Sequence, residues 1–90
     1  MQVKPISVGS VVRSRAGRDT GRDFLVIGIL DQEFVLLADG ELRKAEKPKK
    51  KKVKHLAATG RKIDQAEEAA VSGSLSNAAI RSWLSNEEEL

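Results

Sequence analysis

The run Gly9-Ser10-Val11-Val12-Arg13-Ser14-Arg15-Ala16-Gly17-Arg18-Asp19-Thr20-Gly21-Arg22-Asp23-Phe24-Leu25-Val26-Ile27 decides how this chain is read. Its ends are apolar and rich in β-branched residues, and its middle is polar and carries glycine, the mark of two short strands joined by a loop. Val8 to Arg13 reads as the first strand. Ser14 to Arg22 is the loop, with Gly17 and Gly21 supplying positions that can hold a positive φ. Phe24 to Leu30 is the second strand, apolar throughout except for Gly28. A glycine inside a strand marks a bulge, a sharp bend or a close backbone approach.

Working outward, Asp31-Gln32 reads as a turn and Glu33 to Ala38 as the return strand. Asp39-Gly40 is a type I′ hairpin signal, so Glu41 to Glu46 is expected as a fourth strand with Leu42 and Lys44 on opposite faces. Pro48 and the lysines that follow break the pattern, because clustered like charges repel. Val53 to Thr59 then returns as a last short strand. Four or five short strands with tight turns predict a small barrel or sandwich, and closing the sheet would remove its exposed edges. Phe24 and Phe34 alternate with aliphatic residues as core side chains do.

After Gly60 the spacing becomes helical. Ile63, Ala66 and Ala70 define one helix that Ser72-Gly73 can end. Ser76 is the N-cap of a second, with Leu75 and Ile80 as a hydrophobic staple. Ile80, Trp83 and Leu84 line one face of it. Its acidic end, Glu87 to Glu89, opposes the helix dipole and is expected to fray. Helices this short must dock on the barrel, on a second copy or on a partner. The expected division is therefore 1–59 for the strands and 60–90 for a helical C-terminal extension.

Ninety residues with 40% hydrophobic and 3% aromatic side chains leave little room for a catalytic cleft. There is no cysteine, which excludes a disulfide framework, a thiolate zinc site and a cysteine nucleophile. His55 stands alone with no carboxylate cluster near it in sequence, so no metal site is expected. No catalytic triad spacing or phosphate-loop motif is present, and neither an enzyme nor a cofactor is predicted. The longest apolar stretch is far short of the roughly 20 residues that span a bilayer. Met1 to Ser10 lacks the apolar core of a signal peptide. The expectation is a cytoplasmic protein with no membrane partner.

The formal net charge of +3 hides a division: residues 1–60 carry +6 and residues 61–90 carry −3. Two patches concentrate the positive charge, one at Arg13, Arg15, Arg18 and Arg22, the other at Lys47, Lys49 to Lys52 and Lys54. Such clusters attract a polyanion by counterion release, whatever its base sequence. The lysine run also reads as a mobile linker or a localisation-type basic tract.

The stretch from Gly9 to Ile27 resembles a KOW motif, with Gly9 before the first strand, Val11 along it, and Gly17 and Gly21 spaced as Gly-x-x-x-Gly in the loop. Gly21 stands where that motif has its hallmark glycine. The continuation through Asp39-Gly40, Arg43, the lysine run and Lys54-His55-Leu56 is similar to small bacterial KOW-domain RNA-binding proteins, and to a KOW-type large-subunit ribosomal protein of archaea and eukaryotes. The resemblance covers roughly residues 7–59. It implies a mostly β fold, a small SH3-like barrel with a short α-helical C-terminal extension. It also implies a non-catalytic, translation-related protein that binds structured RNA, with ribosomal RNA or the ribosome as partner.

The RNA-binding residues expected on this reading are Arg13, Arg15, Gly17, Arg18, Gly21, Arg22, Arg43, Lys49, Lys50, Lys51, Lys52, Lys54 and His55. The arginines have planar forks suited to phosphate oxygens, and the glycines would let loop amides approach them. With few aromatics to stack on bases, structured RNA read by backbone and shape is favoured over single strands. The alternative is a protein-interaction module that uses the barrel or the amphipathic C-terminal helix to hold a partner or a second copy.

Overall fold

The computed structural model describes residues 6–85. β1 (Ser10–Ser14), β2 (Asp23–Ile29) and β3 (Phe34–Ala38) form an antiparallel meander in which Val12 faces Phe24 and Val26 faces Leu37. The register of β2 on β3 slips between Val26 and Gly28, the bulge that a mid-strand glycine predicted. The turn after β2 is tied by Asp31, whose Oδ1 accepts the backbone N–H groups of Glu33 and Phe34.

The fourth strand is not where the sequence suggested. Glu41 to Glu46 lies in a loop, and the lysine run is itself β4 (Lys49–Lys52), paired antiparallel with β3. The reason lies in Asp39, whose Oδ1 accepts the N–H groups of Glu41 at 2.9 Å and Arg43 at 2.8 Å. Those donors are the ones a strand would have given to its ladder. Asn77 pins the loop further on, accepting from Ala45 N–H and donating to the Glu46 carboxylate. A run of lysines tolerates a strand at a sheet edge because alternation sends successive ammonium groups to opposite faces.

A 3-10 turn (Val53–His55) leads directly into β5 (Leu56–Lys62), which pairs with β1. The last strand thus starts three residues later than expected and runs past Gly60 to Lys62. The strand order is β4-β3-β2-β1-β5. Its two outer strands are consecutive in the chain and only the three-residue turn separates them, so the sheet must curl on itself. The protein is mostly β, and this arrangement is compatible with a small SH3-like barrel. β5 carries its own irregularity opposite Ser10 to Val12. There the Thr59 hydroxyl donates to the Val11 carbonyl at 2.8 Å and accepts from Arg61 N–H.

Alternation buries both faces of the sheet. Val12, Phe24, Val26, Val35, Leu37 and Leu56 fill the inside of the curl. Val11, Leu25 and Ala38 point the other way, onto two helices, α1 (Asp64–Ser72) and α2 (Asn77–Ser85). Ala66 of α1 and Ile80 of α2 are buried in this second layer, with Ile63, Leu75, Trp83 and Leu84 packed around them. The helices dock on their own sheet. Burying a side chain such as Ile80 stabilises by roughly 1.5–3 kcal/mol, which such short helices cannot find alone.

The helix ends follow the sequence reading. Gly73 adopts the left-handed conformation at φ 76° and closes α1, and Ser76 Oγ accepts the Ala79 N–H at the start of α2. The fraying expected at Glu87 to Glu89 falls outside the described residues. At the other end of α2, Arg61 reaches over from β5 and donates to the Trp83 carbonyl at 2.7 Å. A cation there suits the negative end of the helix dipole. Gly40 is required where α2 begins: its φ is 81° and a Cβ would lie 2.5 Å from the Asn77 carbonyl oxygen.

Candidate nucleic-acid interface

The loop between β1 and β2 is held by its backbone. Ser14 N–H donates to Arg22 O, Gly21 N–H to Ser14 O at 2.8 Å, and Arg22 N–H to Asp19 O. Gly17 and Gly21 sit at φ 88° and 91°, a region costly for a side-chain-bearing residue. The Gly21 amide is therefore committed inside the loop. Thr20 closes the turn, donating its hydroxyl to Gly17 O.

Lys51 joins this loop to β4. It pairs with Val35 in register, and Val35 belongs to the interior, so the Lys51 stem runs inward while its ammonium reaches the rim. The ammonium donates to Ala16 O at 2.8 Å and to Asp19 Oδ1 at 3.2 Å. Both side chains of the pair are only 9% exposed. Ser14 Oγ also lies 3.2 Å from Asp19 Oδ1, while Asp19 Oδ2 is buried without a partner among the described residues. Burial works to raise the Asp19 carboxyl, but the Lys51 hydrogen bond and charge, with smaller help from the backbone and Ser14, hold it below its ordinary value.

The expected contact residues are thus sorted by their surroundings. Lys51 is buried in an ion pair, and its geometry is that of a strut between loop and strand. Arg13 is exposed but lies across β1 and β2 in a two-pronged pair with Asp23, at 2.7 and 3.2 Å. Arg22 donates to Asp39 Oδ2 at 3.3 Å. Arg15 and Arg18 are exposed, and no ion pair or side-chain hydrogen bond engages either among the described residues. Arg15 N–H donates to His55 O at 2.9 Å, which puts the arginine loop beside the 3-10 turn that carries Lys54 and half-buried His55. Lys50, Lys52 and Lys54 are exposed and Lys49 is half-buried. Arg43 is exposed on the Asp39 loop, where its backbone accepts from Asp39 and Gly40 N–H.

Two roles were missed. Phe34 is not a core residue: it is half-buried and belongs to neither cluster. The Lys50 ammonium lies 4.6 Å from its ring centroid and that of Lys52 5.8 Å. Phe34-Val35-Leu36-Leu37 is apolar at every position, so the sequence holds no sign of which alternate residues face in. The other is Asp19, which shapes its loop through a lysine 32 positions away, for which no local signal exists.

The arginine loop therefore lies beside the lysine strand and its 3-10 turn, with no group of metal-ligating side chains among the described residues. No protein-family model matches the chain. Several curated proteins do, each named large ribosomal subunit protein eL14. The one from Pyrobaculum aerophilum is 32% identical over 62 residues, 69% of this chain and 60% of its own length. That from Desulfurococcus amylolyticus is 33% identical over 58 residues, 64% of this chain and 60% of its own. The match with the Pyrobaculum arsenaticum protein is 29% over 62 residues. The chain spans about 60% of the length of these relatives. Over about two thirds of its own length, then, this chain is similar to the archaeal eL14 proteins, a KOW-type ribosomal protein family, as the Gly17 and Gly21 pattern suggested.

Proposed function

We propose that this protein binds RNA without catalysis and works on the ribosome, with structured ribosomal RNA as its partner. The contact surface in this reading is Arg15 and Arg18 of the glycine loop, with Lys50, Lys52, Lys54 and His55 beside it. The observation that carries it is the Lys51 strut. By holding Ala16 and Asp19, it puts the arginine loop next to the lysine strand, and one phosphate backbone can then meet both. Arginine forks suit bidentate contact, and the exposed lysines act as mobile point charges. The similarity to eL14 supplies the ribosome as the setting.

Lys51 leaves the set of contact residues in this reading, because moving its ammonium to a phosphate would strand the buried Asp19. The competing reading, in which the amphipathic C-terminal helix captures a partner, loses its main feature. The Ile80, Trp83 and Leu84 face already lies against the protein's own sheet.

Sedimentation of tagged protein from lysate at low and high salt tests the proposal. Co-migration with large-subunit particles that disappears as salt rises is the expected result. With purified ribosomal RNA, the Arg15→Ala/Arg18→Ala pair should lower the slope of log affinity against log salt by roughly 1–2, one increment for each phosphate no longer neutralised. Protein that stays at the top of the gradient at both salts, or a slope unchanged in the double variant, would sink it.

A further inference from the structure

We propose that Phe34, flanked by Lys50 and Lys52, is a stacking site for one unpaired nucleobase of RNA, an inference that rests on the RNA-binding reading and sharpens it. In register, Phe34 pairs with Lys52 and Leu36 with Lys50, so all four side chains share one face of the β3–β4 ribbon. It is the outer face, because the alternate residues Val35 and Leu37 fill the interior. The helices cover the outer face elsewhere, at Leu25 and Ala38, and their cluster includes neither Phe34 nor Leu36. Leu36 leans on Gly28, where an added Cβ would meet its Cδ1 at 3.1 Å. The half-buried Phe34 ring is thus a flat apolar element left open between two cations.

What the ring holds now is an ammonium, with Lys50 Nζ 4.6 Å from its centroid. A cation over an exposed ring is worth about two- to fivefold in an equilibrium constant. A stacked base is worth roughly five- to 150-fold. A base therefore displaces the lysine, and the released ammonium meets the phosphate that the base brings with it. A flat π-face and an anion within one side chain's reach of each other describe a nucleotide. A carboxylate would satisfy the lysines and leave the ring unused, and a paired base would have its faces covered. The site selects an unpaired base, whereas the arginine loop reads only backbone.

Proton chemical shifts of the phenylalanine rings test this on the intact protein, with short oligoadenylate as one probe and inorganic polyphosphate as the other. Phe24 is fully buried and serves as the internal reference. Ring-current shifts at Phe34 with oligoadenylate, absent with polyphosphate and absent at Phe24, are expected. Phe34→Leu, which keeps an apolar side chain on the strand, should weaken oligoadenylate binding at least about fivefold. If both probes bind and Phe34 is unmoved, the stacking site is overturned while the RNA-binding reading stands. If neither probe binds, both fall together.

Discussion

The β1–β2 loop and the loop between Asp39 and Pro48 are each built round a buried aspartate, and the two aspartates are satisfied in opposite ways. Asp39 is served from within its own loop, by the N–H groups of Glu41 and Arg43, with Arg22 adding a partly exposed cation. Asp19 depends on Ser14 and on Lys51 from a distant strand, and one of its oxygens has no partner among the described residues. The carboxylate of the Asp39 loop is satisfied without help from a distant strand. The β1–β2 loop has its own backbone bonds, but its buried carboxylate is paired only while β4 is in place. The basic loop and the lysine strand are therefore coupled through one ion pair.

The largest test of this contrast is Lys51→Met, which keeps the stem and removes the charge. Stranding a buried carboxylate should cost about 2–4 kcal/mol in denaturant unfolding, while the neighbouring Lys50→Met should cost less than about 0.5 kcal/mol. Equal midpoints for the two variants would break the comparison. Acid sharpens it. Burial opposes ionisation at both Asp19 and Asp39, yet their hydrogen bonds and cations win and leave each folded carboxyl below its ordinary value of 3.8. Their contribution is complete above that pH and is lost as pH falls through the lower folded values. In Lys51→Met the unpaired Asp19 instead gains by protonation, so the gap between variant and wild type should narrow in acid.

Asp39→Ala comes next. It removes an acceptor from two backbone donors that lie near the surface, and a loss of about 1–2 kcal/mol is expected, comparable to losing a helix cap. The smallest effect belongs to Arg22→Ala. Its side chain is 45% exposed, and a screened surface pair of this kind contributes less than about 1 kcal/mol. A larger loss from Arg22 than from Asp39 would mean that the cation, and not the backbone, holds the Asp39 loop.

Those contrasts also explain what was legible in the sequence. β1, β2, the Gly28 bulge, β3 and both helices could be read because each rests on a local signal: alternation, helical spacing, or a glycine or serine at a fixed offset. Asp39-Gly40 misled for the same reason. As a local pattern it says hairpin, and only the structure shows the Asp39 carboxylate taking the donors that a hairpin strand would use. The lysine strand could not be read because its stability comes from Lys51 meeting a residue 32 positions earlier. In the candidate site, the exposed arginines were singled out by charge alone. Which of the lysines is a strut, and that Phe34 faces outward, depend on strand parity, and a run of like residues conceals it.

The packing of α2 on the far side of the sheet bears on how the chain is made. Leu25 and Val11 are covered only when Ile80 and its neighbours arrive, and those residues are synthesised after every strand of the sheet. Until then the growing chain exposes the apolar patch of Val11, Leu25 and Ala38 on an otherwise assembled sheet, the kind of surface that invites aggregation. The two helices finish what the strands begin, so a chain interrupted just after Lys62 would carry every strand and still lack half of what keeps the sheet out of water.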